Sequence, residues 1–111
     1  MPDEKRIEFL ELDNGSSPFL DWLDGVRDFK TKGRIRARID RLRVGNLGDC
    51  RSLGNGIFEL RLSFGPGFRV YFANRDSTTV LLLCGGDKTS QGADIVRARK
   101  LWRKVKAHVK D

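Results

Sequence analysis

The sequence predicts an α+β fold, with two N-terminal helices and a C-terminal helix packed on a small antiparallel sheet. Three observations predict it. Apolar residues recur at helical spacing twice in the first half and again at the C-terminus. They alternate or run together through the middle of the chain. Turns rich in glycine, proline and asparagine separate these stretches. A length of 111 residues suits one domain, 1–111, large enough to bury a core without staples.

The elements follow in chain order. Ile7-Glu8-Phe9-Leu10-Glu11-Leu12 alternates loosely and predicts a short strand. Asp13 to Pro18 is a turn, with Pro18 placed where a helix begins. Phe19, Leu20, Trp22, Leu23 and Val26 then form an apolar helical face. A second helix is predicted over Thr31–Val44, where Ile35, Ile39 and Leu42 make the core stripe. Arg34, Arg36, Arg38, Arg41 and Arg43 surround that stripe and read first as a solvated face. Gly45 to Asp49 ends the helix in a glycine-containing turn.

The second half reads as sheet. Phe58, Leu60, Leu62 and Phe64 alternate with Glu59, Arg61 and Ser63, and Gly65-Pro66-Gly67 connects to a return strand at Phe68–Phe72. Val80 to Cys84 is apolar on both faces, which predicts a strand covered on both sides, and Gly85-Gly86 is expected to stop it. The last helix, about Ser90 to Val109, carries Ile95, Ala98, Trp102, Val105 and Val109 on one face. Trp22 and Trp102 read as core residues.

Composition narrows the function classes. The start of the chain lacks the basic-then-apolar layout of a secretory leader, and no apolar run approaches a bilayer span, so a cytoplasmic protein away from membranes is expected. Cys50 and Cys84 form no CxxC pair and His108 is the single histidine, so neither a metal nor another cofactor is expected. Both cysteines read as small core hydrophobes and His108 as a surface residue. A net charge of +7, from 22 Lys and Arg against 15 Asp and Glu, favours a polyanionic partner: RNA, DNA or an acidic protein segment.

No phosphate-binding loop, HExxH helix, nucleophile elbow or dinucleotide fingerprint is present in the sequence. What remains is a polar set on the predicted sheet. The alternation that buries Leu60 and Leu62 sends Glu59 and Arg61 to the other face, and Arg69 and Tyr71 share a face of the return strand. Asp87 and Lys88 follow the apolar strand at its end. Arg61, Arg69, Lys88, Tyr71, Glu59 and Asp87 are therefore expected on one open sheet face. Such a set suits RNA cleavage, in which the substrate's own 2′-hydroxyl attacks the adjacent phosphate and fixed cations stabilise the growing negative charge. Glu59, Asp87 and Tyr71 are the candidates for base and acid, left unassigned among themselves. Charged residues on an exposed strand face are equally ordinary, and Tyr71 can simply pack.

Four segments carry a family resemblance: Ser17-Pro18-Phe19-Leu20-Asp21-Trp22-Leu23, Gly56-Ile57-Phe58-Glu59-Leu60-Arg61, Gly65-Pro66-Gly67-Phe68-Arg69-Val70-Tyr71-Phe72, and Leu83-Cys84-Gly85-Gly86-Asp87-Lys88-Thr89-Ser90-Gln91. In this order they resemble the addiction module killer protein branch of the RelE/HigB/ParE toxin superfamily. The resemblance implies a RelE-like, microbial ribonuclease-like fold and ribosome-dependent cleavage of mRNA. It implies as partners the ribosome and mRNA, a cognate helix-turn-helix antitoxin from an adjacent gene, and operator DNA through the antitoxin complex. Arg69 matches a hairpin arginine that contacts the scissile phosphate, Lys88 a basic catalytic residue, and Arg61 a basic strand residue. Glu59 stands where RelE has a lysine. The C-terminal tyrosine of RelE has no counterpart, with Asp94 near its position, and HigB-like active-site histidines are absent. That leaves two alternatives open: a ParE-like gyrase-inhibiting toxin, and a non-toxic nucleic-acid or protein interaction module.

Overall fold

The computed structural model describes residues 4–109. Met1 to Asp3, Lys110, Asp111 and the Val109 side chain, which the last apolar stripe included, lie outside the described residues. The order is β1 (Arg6–Phe9), α1 (Pro18–Asp24), α2 (Phe29–Arg43), β2 (Cys50–Gly54), β3 (Ile57–Arg61), β4 (Arg69–Asn74), β5 (Thr79–Gly86), a 3-10 turn at Lys88–Ser90, and α3 (Gln91–Val109). Pro18 sits in the first turn of α1, where its missing N–H costs nothing, and Ser17 caps that turn by accepting from the Leu20 amide at 3.3 Å.

The strands form one five-stranded sheet in the order β1-β5-β4-β3-β2. The expectation of an antiparallel sheet needs correction: β1 runs parallel to β5, so the sheet is mixed. The physical reason lies in β5, which is buried along its whole length and needs a hydrogen-bonding neighbour on each edge. β4 supplies one, and β1 closes the other, with Ile7 opposite Val80. A second correction is β2, a strand the apolar pattern does not reveal. Its residues are largely exposed, and Asn55-Gly56, both at positive φ (56° and 85°), turn the chain tightly into β3.

Helices cover both faces. On one, α1 and α2 bring Phe19, Leu23, Ile35, Ile39 and Leu42 onto Leu60, Leu62, Val70, Phe72 and Leu82. On the other, α3 brings Ala98, Leu101 and Trp102 onto Ile57, Tyr71, Ala73, Leu81 and Leu83. The two faces therefore carry alternate residues of the same strands, as a strand's period of two requires. Between Tyr71 opposite Cys84 and Phe72 opposite Leu82, Leu83 is an extra residue in β5, a bulge that keeps both cores in register. Gly85 and Gly86 do not stop β5 but end it as buried strand residues. A Cβ on Gly85 would lie 2.3 Å from the Trp22 ring, so only glycine lets Trp22 of α1 pack this closely on the strand. No described helix is long and apolar enough to cross a membrane.

Candidate functional site

Strand register assembles the cations. Arg61 ends β3 directly opposite Arg69, which begins β4, and Arg69 in turn faces Gly86 at the end of β5. Three strand ends thus meet in one row, and Lys88 lies two residues beyond Gly86. The segment between β3 and β4 folds over this row. Gly65 and Gly67 adopt φ of 61° and 79°, which an L side chain resists, and the resulting turn aims the carbonyls of Gly67 and Phe68 at Arg69. Arg69 Nη1 donates to them at 3.0 and 3.2 Å.

The result is a cleft of about 480 Å³ in which Arg61, Arg69 and Lys88 converge with Asp49, Ser63 and the Gly65–Gly67 backbone. Like charges set directly opposite on neighbouring strands repel. Here Arg69 is 8% exposed, and its Nε is buried without a hydrogen-bond partner. Among the described residues, neither Arg69 nor Lys88 has a carboxylate within ion-pairing distance. A guanidinium buried without a counter-ion costs folding free energy, of the order of several kcal/mol in a closed site and less beside an open cleft. Such an arrangement is suited to an anion that arrives from outside.

Arg61, Arg69 and Lys88 are therefore brought together, and three other expected members are not. Glu59 and Tyr71 were expected on an open face, but α3 covers that face and both are fully buried. Glu59 is spent on internal partners. Its carboxylate accepts from Tyr71 Oη at 3.1 Å, Gln91 Nε2 at 2.8 Å and Arg51 Nη2 at 3.2 Å, and it ion-pairs with Arg61 Nε at 3.4 Å. It is the anchor beneath Arg61. Burial, followed by the neighbouring Glu59 charge, pushes the Tyr71 hydroxyl far above the usual phenol range, so this phenol stays protonated near neutrality. Asp87 caps the 3-10 turn, accepting from the Thr89 hydroxyl at 2.6 Å and the Thr89 amide at 2.8 Å, and those bonds hold its carboxyl below the ordinary range. Asp94 likewise bonds Ser90 rather than facing the cleft residues.

No family model matches the chain. An uncharacterized protein of Haemophilus influenzae is 48% identical to it over 87 residues, covering 78% of this chain and 88% of the relative. The chain belongs to that protein's family. In this member of the family, Asp49 is a cleft residue that sequence reasoning passed over as part of a helix-ending turn. Its carbonyl accepts from the Arg61 amide at 2.9 Å, which ties the start of β2 to the end of β3 and sets the Asp49 side chain at the cleft rim. The Asn55-Gly56 turn was the signal that could have exposed it, because a strand ahead of that turn places Asp49 near Arg61. Asp49 is the one carboxylate among the described lining residues of this cleft. Among the described residues, no group of three or more His, Cys, Asp or Glu is placed to hold a metal ion.

Proposed function

We propose that this chain is the toxin of a toxin–antitoxin pair, a RelE/HigB-like endoribonuclease that cuts mRNA on the ribosome in the cytoplasm. The observation that carries the reading is the buried Arg69 guanidinium, free of any described carboxylate, opening with Arg61 and Lys88 into one cleft. A phosphodiester supplies the missing counter-charge, and its transition state supplies more of it. The 2′-oxygen of the substrate attacks phosphorus while the bond from phosphorus to the 5′-oxygen breaks, leaving a 2′,3′-cyclic phosphate and a free 5′-hydroxyl. Arg61 and Arg69 hold the equatorial oxygens, and a planar guanidinium fits that geometry with two parallel N–H groups. Asp49, the carboxylate among the described lining residues, takes the proton of the 2′-hydroxyl. The Lys88 ammonium delivers one to the departing oxygen. Glu59 fixes Arg61 from below and touches no substrate. An antitoxin presenting acidic side chains to the same cleft would neutralise it.

The test is cleavage of mRNA on programmed ribosomes, mapped by primer extension, together with growth arrest on induction. Wild type is expected to cut and to leave cyclic-phosphate ends, and Arg69→Ala and Lys88→Ala to lose at least about a hundredfold in rate. Intact mRNA with wild type, or unchanged cutting by both variants, rejects the reading. The burial of Tyr71 and the placing of Asp87 in a turn remove two proton carriers from the cleft, and this favours one second reading, a ParE-like inhibitor of gyrase. Supercoiling inhibition with mRNA left intact distinguishes it.

A further inference from the structure

A second cleft, about 450 Å³ in volume, lies between α2 and the segment leaving β3. It shares Asp49, Arg61, Leu62 and Ser63 with the first, so the two are continuous along one wall. Its other wall is basic. Arg34, Arg38 and Arg41 stand four and three residues apart on α2 and so share one helix face. The one acidic residue of α2, Asp40, pairs with Arg43 at 3.6 Å on a different face. Among the described residues, Arg34, Arg38 and Arg41 have no ion-pair partner.

Two of these side chains are held in place. Arg38 Nη2 donates to the Leu47 carbonyl at 2.9 Å, and its Nη1 is buried with no hydrogen-bond partner. The guanidinium also lies against Gly48, where a Cβ would fall 2.3 Å from Nη2. Arg34 lies over the Phe64 ring at 3.8 Å from the centroid, and Phe64 in turn contacts Phe68 edge-on. A guanidinium stacked on an aromatic ring is a flat surface on which a nucleobase can lie.

We propose that this second cleft is an extended binding track for a single-stranded polynucleotide, taking phosphates that flank the one seated by Arg69. The proposal rests on the reading of the first cleft as a phosphodiester site and specifies where the rest of the strand runs. A polynucleotide carries a negative charge at every nucleotide, so a strand anchored in the first cleft brings further phosphates to whatever adjoins it. Here the adjoining wall holds three arginines with no described counter-ion. A small phosphate ester would not need them.

The probe is a labelled 2′-O-methyl oligoribonucleotide, which the chain cannot cut because the attacking hydroxyl is blocked. Fluorescence anisotropy at a series of salt concentrations gives affinity and its salt slope. Each phosphate contact in a single strand contributes about 0.7 to the slope of log affinity against log salt. Arg34→Gln with Arg41→Gln is therefore expected to flatten the slope by about 1.4 and to weaken binding. Lys100→Gln with Arg103→Gln, on exposed positions of α3, removes the same net charge and is expected to leave the slope as it is. A slope for the α2 pair equal to that of wild type, or of the α3 pair, overturns the track. If Arg69→Ala still weakens binding in that case, the first cleft stands and only the track falls. If Arg69→Ala also has no effect, both fall together.

Discussion

Glu59→Gln probes the anchor under the cleft with almost no change in volume. Tyr71 and Gln91 both donate to Oε2 of Glu59, while Arg51 and Arg61 face Oε1. The amide therefore settles with its oxygen toward Tyr71 and Gln91, keeping those two bonds, and turns its NH2 toward two guanidinia. Two charge-assisted contacts are lost. In a sealed interior the loss of one partner of an ion pair costs about 3–5 kcal/mol. The Arg51 and Arg61 side chains are 50% and 37% exposed, so both cations regain water and most of that penalty disappears. A net loss of about 2 kcal/mol remains, near the strength of one hydrogen bond to a charged group. Using the unfolding entropy typical of globular chains, this lowers the Tm of a 111-residue protein by about 9 °C. Differential scanning calorimetry measures it, and a double-mutant cycle with Arg51→Gln isolates the pair, with a coupling of about 1 kcal/mol expected. A Tm unchanged in Glu59→Gln, or strictly additive losses in the double variant, would show that Glu59 does not hold these arginines.

Three further outcomes follow from local geometry. Gly85→Ala sets a methyl into the Trp22 ring and should cost about 1–3 kcal/mol with a shift in tryptophan emission; a neutral effect would mean that Trp22 does not rest on the strand. Asp87 has a depressed carboxyl pKa in the fold, so its contribution is present above the ordinary value of 3.8 and is lost as pH falls through the lower folded value; Asp87→Asn should flatten the acid limb of a stability-against-pH curve, and an identical limb would refute the cap. Burial pushes the Cys84 thiol up to about 12, so it should resist a thiol reagent at pH 8 until the protein unfolds, and fast labelling of the native chain at that position would contradict its place under α3.

The covalent order alone determined the helices and most of the sheet, because these rest on short-range periodicity. Pro18 after a capping serine, the Ile35, Ile39 and Leu42 stripe, and the strand of Val80 to Cys84 are each legible within a dozen residues. That Arg61 and Arg69 lie on neighbouring strands was legible from the Gly65-Pro66-Gly67 turn, but residues 62–68 separate β3 from β4, and the register that sets the two arginines directly opposite each other was decided by the fold. Only the tertiary structure decided that the face carrying Glu59 and Tyr71 is covered. Alternation along β3 shows that Glu59 and Leu60 point to opposite sides, yet it carries no sign for the side that α3 closes. A polar residue such as Glu59 reads as exposed until its partners, Gln91 from 32 residues away among them, are in place to compensate its charge. The parallel pairing of β1 and the approach of α2 to the β3 end are contacts of the same long-range kind. Those contacts turned an array of scattered arginines into a cleft, because the burial of apolar surface on both sides of the sheet, rather than any attraction among like charges, brings them together.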